Sequence, residues 1–448
     1  MQKLFSDYGM VLVLIVLCLL FSALTFKEQT PLGSNAIIEI LEQINSKFDK
    51  SDIILAVGVA KKDSAPFAEK VGEKLKEAGY SKTRVVVGTP RDLKLALDDI
   101  KAEGSRPAAI ATSGDVVKWR VIELMPQSHP EFMGCELLSP ESYMWPDFLK
   151  RSNLLAIVDR IVVIAIIAIG MTMVIITAGI DLSVGSLIAL AAVISTLIMK
   201  KLGGLQASGW VVLIGFFGGM LCCGIIGAVG GVIVSRFKVA PFITTLSVMM
   251  IARGLAFMIT GGYSIYQVPK ALPWLGQGRL LGMPNTVILL IVLYVAAHIF
   301  MAHTRTGRYI YAVGGNQEAA RLSGVPVKSV IVFVYVISSL AAGLGGCIQT
   351  SQLNTGAPNI GVMYELYVIA AVVVGGTSLS GGSGRILGTL IGAFIISVIQ
   401  NGMNLLAIES YKQQVVLGAV ILGAVLLDKA RRAGRLPAFL LKKKETMN

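Results

Sequence analysis

A chain of 448 residues that is 54% hydrophobic and 15% charged, with a mean hydropathy of +0.72, is too apolar for an ordinary water-soluble domain and must lie mostly in lipid. The formal net charge of +13 does not indicate a nucleic-acid partner. Outside one polar stretch the basic residues stand in short clusters beside apolar runs, Lys429, Arg431, Arg432 and Arg435 among them, as in the positive-inside pattern of membrane proteins.

The first apolar run, Gly9 to Phe26, follows Lys3 in the manner of a signal sequence but ends without a small-x-small cleavage site, and it reads as an uncleaved anchor. Residues 27–153 then hold nineteen of the 27 acidic residues and form a water-soluble island. Cys135 stands alone there, while Cys18, Cys222, Cys223 and Cys347 lie in apolar segments, so no disulfide framework is implied.

The island reads as a small α/β domain. Ile37, Ile40, Leu41, Ile44 and Phe48 fall on one helical face, and the run Ile53 to Val59 has the character of a buried strand. A helix burying Phe67, Val71 and Leu75 ends at Gly79. A strand over Val85 to Val87, a helix carrying Leu93, Leu97 and Ile100, and a strand over Pro107 to Ser113 follow. Such alternation implies a parallel sheet with right-handed crossovers. No glycine-rich phosphate fingerprint follows any of these strands.

A bilayer core of about 30 Å takes about 20 apolar residues of helix. Ten segments meet this, approximately 9–26, 157–178, 184–199, 210–234, 242–260, 285–302, 329–348, 363–377, 386–405 and 413–428. With ten crossings, Lys3, Arg236, Lys238, Arg305, Arg308, Arg321, Lys328, Arg385 and the C-terminal basic cluster share one side, which the positive-inside rule makes cytoplasmic. Both termini then lie inside and residues 27–153 outside. The fold class expected is an α-helical polytopic membrane protein of about ten transmembrane helices, with a small extracytoplasmic α/β domain inserted after the first. Its divisions are an anchor (1–26), the insert (27–153), a helical core (154–430) and a basic cytoplasmic tail (431–448), in which Lys442, Lys443 and Lys444 can also meet anionic lipid.

Within the core, Thr177-Ala178-Gly179-Ile180-Asp181-Leu182-Ser183-Val184-Gly185 breaks the apolar pattern. Gly179 can stop one helix, and Asp181 or Ser183 can accept the orphan N–H groups opening the next. That is either a plain capped turn, or a hinge or boundary of a transport pathway. Arg253 is a charge inside the fifth apolar segment. It must face a polar cavity or partner, which Thr244 and Thr245 could help to line, or else snorkel to a membrane surface.

The stretch from Gly170-Met171-Thr172 through Gly185 resembles the sugar-type inner-membrane permeases of ABC importers, the ribose, xylose, arabinose and galactoside group that also includes branched-chain amino acid permeases. The resemblance continues in order through Ala240-Pro241-Phe242-Ile243-Thr244-Thr245-Leu246, Ile251-Ala252-Arg253-Gly254-Leu255, Thr306-Gly307-Arg308-Tyr309, Gly314-Gly315-Asn316-Gln317-Glu318-Ala319-Ala320-Arg321-Leu322-Ser323-Gly324 and Val374-Gly375-Gly376-Thr377-Ser378-Leu379-Ser380-Gly381-Gly382. It covers nearly all of residues 140–435.

This resemblance implies a permease subunit in a bacterial inner membrane that moves a small polar solute, a monosaccharide above all. Its implied partners are cytoplasmic ABC ATPase subunits, a second permease copy or homologue, and an external solute-binding protein. Gly315, Asn316, Glu318, Ala319, Ala320, Arg321 and Gly324 correspond to a loop that docks a short helix on the ATPase. Good helix formers between glycines, with small Ala319 and Ala320 open to close approach, suit that role. Asp181, Ser183, Thr244, Thr245 and Arg253 are candidates for the translocation path.

No Gly-x-x-x-x-Gly-Lys-Ser/Thr sequence occurs, so energy from ATP must come from another chain. The three histidines, His129, His298 and His303, form no recognised metal motif. No cofactor and no enzymatic activity are expected. The alternative is an ion-coupled secondary transporter or channel, which calls for ionisable groups within the spans.

Overall fold

The computed structural model describes residues 2–60 and 62–432, with side chains over residues 9–60 and 62–426. Arg435 and Lys442 to Lys444, the end of the expected basic tail, lie outside the described residues. The chain forms two compact units, one made of residues up to Leu24 together with those from Phe148 onward, the other of Thr25–Asp147.

Helix α1 spans Gln2–Leu24. The Thr25–Asp147 unit opens on β1 (Phe26–Gln29) and closes on β6 (Tyr143–Pro146), which pair antiparallel with Phe26 opposite Pro146. This pairing puts the joins a few residues earlier than composition suggests. Between them run α2 (Ser34–Lys47), β2 (Ile53–Val59), α3 (Ser64–Glu77), β3 (Arg84–Gly88), α4 (Pro90–Ala102), β4 (Pro107–Thr112) and β5 (Glu136–Leu138). The sheet has the order β3-β2-β4-β5 with every neighbouring pair parallel.

Strand alternation divides the unit's core in two. Ile54, Ala56, Ala109 and Ala111 face α2 and α3. Ile53, Leu55, Val57 and Ile110 face Leu93, Leu97 and Ile100 of α4. Each fully buried Ile or Leu contributes on the order of 1.5–3 kcal/mol relative to exposure, which is why β2 reads as a continuous apolar run rather than an alternating one. Helix α4 is stopped at its start by the Thr89 N–H, which donates to Asp92 Oδ2 at 2.7 Å.

The second unit is mainly helical, its exceptions including a short antiparallel pair, Arg279–Leu280 with Met283–Pro284. In chain order follow α5 (Arg151–Ile176), α6 (Val184–Lys201), α7 (Gly209–Phe237), α8 (Pro241–Thr260), α9 (Asn285–His303), α10 (Arg305–Gly315), α11 (Gln317–Leu322), α12 (Val327–Leu353), α13 (Tyr364–Val374), α14 (Ile386–Leu405) and α15 (Ser410–Arg432). Among the described residues seven of these, α5 to α9, α12 and α14, are long and apolar enough to cross a membrane, and Gly9–Leu24, Tyr364–Val374 and Ser410–Leu426 are shorter apolar helices.

Helix α5 is buried on every side from Ile161 to Ile176, as expected of a helix apolar all round at the centre of a bundle. Lipid is as apolar as these side chains, so the helices gain cohesion from close packing rather than from removal of water. Glycines permit it. An added Cβ at Gly219 of α7 would press on Ala191 O of α6, and one at Gly231 would lie 2.8 Å from Val332 Cα of α12. One helix thus packs tightly on two neighbours at different heights. Helix α8 is the opposite case, burying only a stripe that includes Thr244, Thr245, Ala252 and Ala256 while Met250, Ile251 and Met258 stand exposed.

Candidate functional site

The break between α5 and α6 is built differently from the expected glycine stop. Ala178, not Gly179, takes the left-handed conformation, with φ 61°, and the Gly179 N–H closes the turn on Val174 O at 3.0 Å. Glycine is needed at 179 for space, since an added Cβ would sit 2.7 Å from Tyr335 Oη and 3.1 Å from Val174 Cγ1.

Asp181 lies in this break and is wholly buried. Its Oδ1 accepts the Ser183 N–H at 3.0 Å and the Ser183 hydroxyl at 2.5 Å, and its Oδ2 accepts the Ser338 hydroxyl of α12 at 2.8 Å. A carboxylate away from water is costly unless such donors replace its hydration. Asp181 therefore combines two tasks, holding the turn at Ser183 that leads into α6 and tying the break to α12. Tyr335, one turn before Ser338, buries its hydroxyl without a hydrogen-bond partner among the described residues.

Thr245 joins the same cluster through its hydroxyl, which donates to Ile180 O at 3.2 Å and to Pro241 O at 3.0 Å. Thr244 is buried beside it, its Oγ1 without a partner among the described residues. Arg253 stands apart, about 12 Å farther along α8. Half-buried, it donates from Nη1 to Pro358 O at 3.0 Å and to Ile360 O at 2.7 Å. The guanidinium is held by backbone carbonyls of the segment joining α12 to α13.

Beside the α5–α6 break, α10 runs into α11 at Asn316. Its extended backbone ends α10, and its Oδ1 accepts the Ala319 N–H at 2.9 Å, capping α11. Gly324 closes the segment at φ +80°. Gly315, Asn316, Glu318, Ala319, Arg321 and Gly324 are all exposed, with Glu318 Oε2 paired to Arg321 Nε at 2.9 Å. Ala320 is the exception. It is 5% exposed and packed into the chain's own core, so only Ala319 of the two alanines is open to a partner, because the helical period turns residue 320 inward.

Leu322 was not a candidate from sequence, yet it is 77% exposed at the end of α11. Ser338 and Tyr335 were likewise missed. Their neighbours in space are distant in sequence, and neither belongs to a motif.

The two places are physically joined. The Gly382 N–H donates to Ile176 O, the last residue of α5, at 2.9 Å. Gly314, near the end of α10, approaches the same carbonyl so closely that any side chain would collide with it. Thus α10, the end of α5 and the segment between α13 and α14 meet at one point, two residues from Ala178.

Residues 153–425 match the family described as branched-chain amino acid transport system / permease component. The ribose import permease protein RbsC of Escherichia coli (strain K12) is 43% identical over 301 residues, 66% of this chain and 91% of that protein. The D-allose transport system permease protein AlsC of the same strain is 37% identical over 292 residues, 65% of this chain and 86% of that protein. The L-arabinose ABC transporter permease protein AraH of Azospirillum brasilense is 33% identical over 340 residues, 76% of this chain and 98% of that protein. No solved structure matches the chain.

Proposed function

The chain belongs to the branched-chain amino acid transport system / permease component family, as a membrane-embedded subunit of an ATP-binding-cassette importer and not an enzyme, and from this premise we propose that its solute is a monosaccharide. The observation that carries the substrate class is the identity to the ribose, allose and arabinose permeases, 43%, 37% and 33%. The test is ATP hydrolysis by the chain reconstituted with its ATPase and its binding protein. Ribose, allose or arabinose should accelerate hydrolysis and leucine should not; acceleration by leucine alone would overturn the substrate class.

In this reading the chain crosses the membrane ten times, the seven long helices being joined by α1, α13 and α15. Residues 2–8 and the basic residues following α15's apolar part lie in the cytoplasm, and the Thr25–Asp147 unit lies outside. The clustering of Arg236, Arg305, Arg308, Arg321, Lys328 and Arg385 in the connections assigned to one side supports this orientation. The outer unit docks the binding protein or covers the external entrance.

The ATPase subunits press against α11. A six-residue helix with Ala320 turned inward and Glu318, Ala319, Arg321 and Leu322 outward has the form of a small docking surface. Its movement reaches the Asp181 break through Gly314 and Ile176. A second copy or homologue of the permease covers the exposed apolar face of α8, and solute passes between the two near Thr244, Thr245 and Arg253. Asp181 and Ser183 act as the latch of the break rather than as solute ligands, which their burial supports.

A further inference from the structure

A cavity of about 940 Å³ opens between α1, α9, α10 and α14 at the end of the bundle that carries α10. Its walls divide by chemistry. Met10 and Val11 of α1, Met301 of α9 and Ile391 of α14 give apolar surface. Arg308 of α10 and Arg385, next to the start of α14, supply two guanidinium groups.

Both arginines are exposed, and neither joins an ion pair among the described residues. Among the described residues no Asp or Glu lines the cavity. Glu318, the acidic residue of the neighbouring α11, is taken up by Arg321. The floor is fixed by Tyr311, whose hydroxyl donates to Gly384 O at 2.9 Å. Two cations without an acidic partner among the described residues therefore share one ligand-sized hollow with a hydrocarbon wall.

We propose that this cavity binds a phosphate-bearing anion, supplied by the headgroup of an anionic lipid whose acyl chain lies along Met10, Val11 and Ile391. Guanidinium groups match phosphate oxygens in geometry as well as charge. The apolar wall distinguishes an amphiphile from a free ion, and basic hollows between helices on the cytoplasmic side are where anionic headgroups are found. The leaflet assignment rests on the orientation given under the proposed function; the binding itself does not.

The test is native mass spectrometry of the full chain in detergent, supplemented with phosphatidylglycerol or with phosphatidylcholine. The wild-type chain should retain phosphatidylglycerol about tenfold more strongly than R308Q/R385Q, with no such difference for phosphatidylcholine. The charge-conserving R308K/R385K should recover only part of the retention, and R305Q, which alters an exposed arginine outside the cavity, should behave as wild type. Equal retention by wild type and R308Q/R385Q overturns the site. Displacement of phosphatidylglycerol by millimolar inorganic phosphate would assign the site to the free ion and overturn the lipid as its source. Loss of the lipid when the ATPase subunits assemble on the chain would make these arginines contacts of that protein and overturn the proposal. None of these readouts depends on which solute is carried.

Discussion

Ser338 and Asp181, 157 residues apart in sequence, meet at 2.8 Å in the middle of the bundle, the hydroxyl donating to a carboxylate that has no contact with solvent. This bond joins the break between α5 and α6 to α12.

Replacing Ser338 by Ala removes one of the donors that replace the hydration of Asp181. The buried Oδ2 would lose its partner, at a cost of about 1–3 kcal/mol. A lower thermal midpoint for S338A in detergent, with S338T closer to wild type, is the expected outcome. An unchanged midpoint would mean that water reaches the carboxylate.

Residues 178 and 179 should respond in opposite ways. A178G removes a left-handed strain at φ 61° and should be neutral or slightly stabilising. G179A places a Cβ 2.7 Å from Tyr335 Oη and should destabilise by about 1–3 kcal/mol. Thermal unfolding of the two variants side by side measures both effects, and Y335F should soften the second by removing the atom that is struck.

Leu322 offers a sharper probe of the docking surface proposed on α11 than the charged pair beside it. Glu318 and Arg321 are exposed and their ion pair contributes little, whereas an apolar side chain 77% exposed gains by being covered. L322D should leave the thermal midpoint of the chain within about 0.5 kcal/mol of wild type while cutting co-purification of the ATPase at least tenfold. N316A should act indirectly, fraying α11 at about 1 kcal/mol through loss of its cap.

Cys135 supplies a pH test in the Thr25–Asp147 unit. Burial pushes its thiol from 9.0 up to about 11, so the folded state keeps its proton where the unfolded chain has lost it. Stability from this group is therefore present below about pH 9 and falls as pH rises through 9 toward 11. The same shift leaves about 100-fold less thiolate at pH 8 than in an unstrained thiol. Alkylation by iodoacetamide at pH 8 should be markedly slower than in urea-unfolded protein.

Much of the architecture was legible because it rests on local patterns. The apolar run Ile53 to Val59 is β2 residue for residue, and the residues named for the faces of α2, α3 and α4 are those that the two cores bury, Leu41 and Phe48 partly. The apolar segments are likewise visible as helices. The strand β5 and the β1–β6 pair were not foreseen, since three or four residues carry no periodicity and the β1–β6 pairing joins residues more than a hundred positions apart. At the break, composition pointed to Gly179 as the stop. The backbone turns at Ala178 because the crowding by Tyr335, a residue of α12, decides which of the two must be glycine. Ala320 was misplaced toward the partner for a related reason. A six-residue helix is too short to show a period, and only the packing against α12 says which alanine turns inward.

The central claim is that this chain supplies a gated passage and a separate protein supplies the energy. Solute uptake into proteoliposomes, measured with the chain alone, with its ATPase, and with ATPase and binding protein together, tests it most directly. Uptake that requires ATP and both partners, and that collapses in L322D, is predicted. Uptake by the chain alone down or along an ion gradient, or ATP turnover by the isolated chain, would contradict it.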